Sequence, residues 1–189
     1  MKKLISAALL ASAFVGSAWA APLNYTIDET HTFARFSYSH LGFSTQVLRF
    51  DRTQGTVQFD AAAQSASVDV SIDTRSVSTG TDTFNKHIQG ATFLDSAQFP
   101  TATFKSTRVI FKGDQPSKIE GKLTIKGVTK PVTFDITNFT AKNHPMQNKP
   151  AIGADAQAVI KRSDFNAGAY APAVGDEVTI SISLEALAQ

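Results

Sequence analysis

The chain contains no cysteine. Thiol catalysis, thiolate metal sites and disulfide staples are thereby excluded, and an apolar core must hold the fold by itself. Tryptophan is nearly absent, the single one being Trp19. An excess of one charge is also missing. The formal net charge is +2, and two of the eighteen basic residues, Lys2 and Lys3, fall in the first twenty positions. Beyond them sixteen basic residues face sixteen acidic ones, counting histidine as neutral. A nucleic-acid partner therefore has no electrostatic support. The one long apolar run, Leu4 to Val15, is too short to cross a bilayer as a helix. Neither a Gly-x-Ser-x-Gly elbow nor a glycine-rich phosphate loop occurs.

What is present begins with a leader. Lys2 and Lys3 precede the apolar run, and Ala18-Trp19-Ala20 is a small-x-small cleavage site. Residues 1–20 read as a secretory signal peptide cleaved after Ala20, which predicts a periplasmic protein without a transmembrane anchor. Residues 21–189 are then one domain, long enough for a sizeable core.

That domain is written almost wholly in period two, the spacing of strands with one apolar face. Gly121 to Ile136 shows it best: Leu123 and Ile125, then Val132, Phe134 and Ile136, alternate with polar residues. Gly127 can take φ > 0 between the two runs, and Pro131 is expected at the start of the second strand. Earlier runs put Ala34, Phe36 and Tyr38 on one face, then Leu48 and Phe50, then Gly55, Val57 and Phe59, then Val68, Val70 and Ile72. Later runs do so with Ala102, Phe104 and Ser106, a separate run from Arg108 to Lys112, Ala154, Ala156, Ala158 and Ile160, and Val178, Ile180, Ile182 and Leu184.

Residues 74–98 break the pattern. Thr81 or Asp82 can cap a short helix that Gly90 ends, with Phe84 and Ile88 four apart on one face. Phe93 and Leu94 follow in a polar stretch. Such an insertion in a β domain is a plug for a barrel end or a mobile lid.

About eight short strands predict an all-β, eight-stranded antiparallel barrel, whose interior side chains can just fill or which can hold one small ligand. Small residues at inward positions, Ala34, Gly55, Ala102, Gly121, Ala154, Ala156 and Ala158, favour the ligand-holding form. A membrane barrel would invert the faces, but the strands are short for it and no aromatic girdles are evident.

An ordered set of landmarks resembles the YceI-like family of exported lipid-binding proteins. They are Asp28, His31, Thr32, Phe36, His40 to Gly42, His87-Ile88, Phe93-Leu94-Asp95, Phe99-Pro100, Phe104 and Ser106. Gly121 to Val132, Arg162 to Phe165 and Asp176-Glu177-Val178 complete it. The resemblance implies an extended, lipocalin-like barrel whose channel takes a long isoprenoid, such as a polyprenyl chain or a quinone tail. Two departures stand out. Ala141 and Ile152 occupy places where some relatives carry a cysteine pair, and Asn166 stands where many have glycine.

The expected ligand-binding wall is Ala34, Phe36, Tyr38, Phe50, Val57, Phe59, Val68, Val70 and Ile72, with Phe84, Ile88 and Phe93 from the insertion. Phe104, Leu123, Ile125, Phe134, Ala156, Ile160 and Ile180 complete it. Each buried CH₂ of a lipid contributes roughly 0.8 kcal/mol. A ten-carbon tail then gains about 8 kcal/mol, comparable with an association cost of roughly 4–15 kcal/mol.

No catalytic residue, metal site or cofactor is expected, and the protein reads as a non-enzymatic carrier. His31, His40, His87 and His144 have no zinc-like spacing. Asp28 and His31 form either an acid–base pair or a turn held by the aspartate. Arg35, Arg49, Arg52, Arg75 and Arg108, and Lys86 with His87, are candidates for a lipid head group. An interaction domain with an exposed patch at Phe33, Phe43 and Phe111 is the competing reading, and a homodimer is compatible with both.

Overall fold

Residues 22–189 are described by the structure, a computed structural model. The leader and its cleavage point lie outside the described residues.

The Gly121–Ile136 pattern forms the hairpin of β8 (Gln115–Ile125) and β9 (Val128–Asn143). Lys126 and Gly127 both have left-handed φ, 48° and 75°, between the paired residues Ile125 and Val128. That is the two-residue loop whose twist matches the strands it joins. Pro131 is not the first residue of its strand; it lies inside β9, opposite Lys122. It is tolerated because β9 pairs with its other neighbour only from Asp135 onward. The edge beside Pro131 is open, so the missing N–H breaks no ladder.

The remaining strands are β1 (Leu23–Ile27), β2 (Phe33–His40), β3 (Ser44–Phe50), β4 (Thr53–Asp60), β5 (Ser65–Asp73), β6 (Val77–Ser78), β7 (Thr101–Lys112), β10 (Pro150–Lys161) and β11 (Glu177–Ala188). All pairings are antiparallel. Around the ring the order is β1, β4, β5, β7, β8, β9, β10 and β11, and β11 pairs back onto β1. The result is a closed eight-stranded barrel, as the alternation predicts.

β1 and β2 are two halves of one bent strand, since both pair with β11. β3 and β4 form a second bent strand alongside them, and β5 continues through a 3-10 turn, Thr74–Ser76, into β6. The run expected from Arg108 to Lys112 is not a separate strand. Thr101 to Lys112 is continuous, with a register shift between Ser106 and Arg108. The bulge at Thr107 adds one residue and resets the phase, which interrupts the pattern in sequence but not in space.

The insertion forms α1 (Asp82–Gln89), capped by the Thr81 hydroxyl, which accepts from the Phe84 N–H at 3.4 Å. Ile88 is buried with Tyr38, Leu48, Val77 and Val178. α1 thus closes the end of the barrel where the bent strands splay apart. A 3-10 turn, Arg162–Phe165, shares that end. Its cap, Asn166, has left-handed φ of 57°, a conformation that glycine or asparagine adopts most readily.

Candidate functional site

The inward faces enclose a cavity of about 230 Å³ with almost purely apolar walls. Along β10 its wall runs from Ile152 to Ile160. At about 3.3 Å per residue that is some 26 Å of strand, or about 20 Å along the axis of a tilted barrel. One end is packed by aromatic rings, Phe59 lying 6.4 Å from Phe111 and 5.1 Å from Phe139, centroid to centroid. The other is covered by Ile88, Phe93, Leu94 and Phe165.

Ala34, Phe36, Tyr38, Phe50, Val57, Phe59, Val68, Val70 and Ile72 all line this cavity, as do Ile88, Phe93, Phe104, Leu123, Ile125, Phe134, Ala156, Ile160 and Ile180. Phe84 does not. It shares the helix face of Ile88 but packs half-buried beside the cluster of Tyr38, Leu48 and Val77. One helical turn separates them, and only Ile88 reaches past the barrel rim.

The small inward residues divide into two kinds. Ala34, Ala102, Ala154 and Ala156 border the cavity. Gly55, Gly121 and Ala158 do not open it. The Asp69 carbonyl oxygen on β5 occupies the space over Gly55, with Ile27 beside it, the ring of Phe104 fills that over Gly121, and Ala158 is packed in a cluster with Phe134 and Phe165.

Arg162 also borders the cavity, and its partners are backbone carbonyls that carry no signature in the sequence. It is only 9 % exposed. Its Nε donates to the Gly175 carbonyl at 2.8 Å, Nη1 to those of Ala167 and Ala169 at 2.6 and 2.7 Å, and Nη2 to that of Val174 at 2.6 Å. Burial pushes its pKa down, against the opposing fields of Asp176 and Tyr38. The guanidinium thus gathers the 167–175 loop over the barrel end. Asp176 secures the same loop by accepting from the Ser163 N–H and hydroxyl at 2.9 and 2.7 Å.

Arg35 borders the cavity but turns its guanidinium to Ser183 Oγ at 3.1 Å, and Arg49, Arg52 and Arg75 do not border it. Arg49 and Arg35 lie over the Phe33 ring, at 4.7 and 5.6 Å from its centroid. Arg52 and Arg75 both clamp Asp73. Burial raises the Asp73 pKa, but hydrogen bonds from Arg75 and Arg52 outweigh it and bring the carboxyl to about 2. Phe33 is thus sandwiched and Phe111 packed, leaving Phe43, 89 % exposed, as the one bare ring of the three.

Asp28 is a turn residue. Its Oδ1 accepts from the Thr30 N–H and hydroxyl, and its Oδ2 meets His31 Nδ1 at 2.8 Å. Folding also brings Glu185 within reach of this pair. The three lie in a polar groove outside the barrel, away from the apolar cavity.

Residues 25–186 match the YceI-like domain. The chain belongs to this family. A protein named YceI from Salmonella arizonae is 38% identical over 192 residues, covering all of both chains. The crystal structure of Burkholderia cenocepacia BcnA superposes with a TM-score of 0.72 at 28% identity, covering 84% of this chain and 98% of that one. A polyisoprenoid binding domain from Saccharophagus degradans, implicated in plant cell wall breakdown, has a TM-score of 0.65 at 18% identity, covering 88% and 99%. At that identity the likeness is one of fold. Ala141 and Ile152 are directly opposite one another on β9 and β10. Among the described residues no helix is long and apolar enough to cross a membrane.

Proposed function

We propose that this YceI-like protein carries a long-chain isoprenoid-type lipid in the periplasm, sheltering its tail in the barrel and doing no chemistry on it. The observation that carries the reading is the apolar cavity, about 20 Å long on the strand and tilt estimate, enclosed by a complete ring of strands. Such a space rewards a flexible hydrocarbon in proportion to the area it buries. The Saccharophagus barrel, of the same fold, is a polyisoprenoid binding domain. Export to the periplasm is supported by the basic, then apolar, then Ala18-x-Ala20 leader.

Native mass spectrometry of protein recovered from the periplasm, followed by organic extraction, tests this. A stoichiometric adduct that extracts as an isoprenoid is expected. An empty protein that also takes up no added polyprenyl lipid or quinone would overturn it. The second reading, an interaction domain, is favoured only by the bare ring of Phe43 at the β2–β3 tip.

A further inference from the structure

Residues 90–98, between α1 and β7, satisfy much of their backbone locally. The amides of Phe93 and Asp95 donate to the Gly90 carbonyl at 3.0 and 2.9 Å, and that of Gln98 to the Asp95 carbonyl at 3.0 Å. Those of Leu94 and Ser96 turn back onto the end of α1, to the Ile88 and Gln89 carbonyls at 3.1 and 2.9 Å. Both ends of the segment are fixed. At one, Ile88 is buried and Gln89 Nε2 donates to the Arg75 carbonyl at 2.9 Å. At the other, the Phe99 carbonyl accepts from the Thr74 hydroxyl at 2.8 Å, and the Phe99 ring rests on Gly127. Between these ends Phe93 and Leu94 border the cavity.

Among the described residues, a single hydrogen bond ties residues 90–98 to the barrel. Lys126, in the β8–β9 loop, donates from Nζ to the Ala91 carbonyl at 2.7 Å and to the Asn166 carbonyl at 3.0 Å. One ammonium therefore straps the segment to the 3-10 turn beside it. Another group opposes closure. Ser96 is 2 % exposed, and its Oγ has no hydrogen-bond partner. A buried, unpaired hydroxyl costs its desolvation, and water restores the bond once the segment lifts. The far end of the cavity has no such movable part. Its rings, Phe59, Phe111 and Phe139, sit on strands paired at those very residues, so parting them would break the barrel.

We infer that residues 90–98 are a lid over the cavity, latched by Lys126 and biased to open by Ser96, and that cargo passes at this end. This role rests on the carrier reading, and it makes the insertion a lid rather than a plug. A segment with so few ties to its surroundings opens locally while the strands stay paired.

Stopped-flow fluorescence times the uptake and release of an anthraniloyl ester of geranylgeraniol by the wild type, Lys126→Met, Ser96→Ala and Lys130→Met. Methionine keeps the aliphatic stem and removes the donor. Lys130, exposed on β9, is the control. Lys126→Met should raise both rates by about tenfold, the scale of one charge-assisted hydrogen bond. Affinity should hold, because the latch closes the empty and loaded forms alike. Ser96→Ala should lower both rates by a similar factor, and Lys130→Met should change neither. Amide exchange at Leu94, Asp95 and Ser96 in the empty protein should shift in the same opposed directions, with the barrel strands unaffected. General loosening of the fold would move both variants one way. Unchanged rates and exchange in Lys126→Met, or a shift of both variants in one direction, would overturn the lid while the carrier reading stood. A wild type that takes up no ester yet shows the opposed exchange shifts would keep the moving segment and overturn the carrier reading.

Discussion

The ring of Phe104 on β7 lies over Gly121 on β8, in the space a side chain there would occupy. A β-carbon on Gly121 would collide with that ring and approach the Lys105 carbonyl oxygen to 2.6 Å. The ring can swing into the cavity, but the carbonyl is backbone, so the β7–β8 pairing must also shift to make room. Gly121→Ala is expected to cost about 2 kcal/mol in urea unfolding and to weaken lipid uptake. Unchanged stability would show that the ring has another place to go.

Arg162 makes a second prediction. Four backbone carbonyls depend on one planar fork of N–H donors. A lysine ammonium has three donors at a single point and cannot span them. Arg162→Lys should therefore cost nearly as much as Arg162→Ala, about 2–4 kcal/mol. Amide exchange should rise across residues 167–175. A fully stable lysine variant would remove the clamp from this account.

The Asp28–His31 turn predicts a pH dependence. The hydrogen bond to Asp28, then its charge, raises the His31 pKa above 6.5. Hydrogen bonds from Thr30 and then His31 lower Asp28 to about 2. A raised histidine pKa means the folded state holds its proton more tightly. Its contribution is fully present below pH 6.5 and fades as pH rises through the folded value. The Asp28 contribution is present above its ordinary 3.8 and is lost as pH falls through about 2. His31→Ala should trail wild type in thermal stability at pH 5.5 and converge on it near pH 8.5. A gap that widens with pH would reverse the assignment. His31 is solvent-exposed, so the gap should shrink in high salt.

Ala154 separates cavity from core. It borders the open space and is only half-buried. Ala154→Leu should fill part of that space, lower lipid uptake and stabilise the empty barrel by up to about 1 kcal/mol. Paired lipid titration and melting curves check this. Full uptake would show that the lipid tail runs elsewhere.

The sequence by itself determined the barrel and most of the wall of its cavity. Period-two alternation is a local property, and it states which face of each strand is apolar wherever the strand ends up. For that reason the strand residues of the wall, from Ala34 on β2 to Ile180 on β11, follow from spacing alone, and the turn at Gly127 follows from its freedom of φ. Only the tertiary structure decided what depends on a neighbour. Pro131 sits inside β9 because the pairing of β9 with β10 ends at Asp135, four residues away from it. Gly121 is full because Phe104 leans over from β7, and Phe84 misses the cavity by one turn of helix. Arg162 holds carbonyls that carry no side-chain signature. The orphaned hydroxyl of Ser96 becomes visible only when every possible partner has been placed. Alternation assigns a side chain to a face, but satisfaction and filled space belong to pairs of atoms far apart in the chain, and folding alone brings those pairs together.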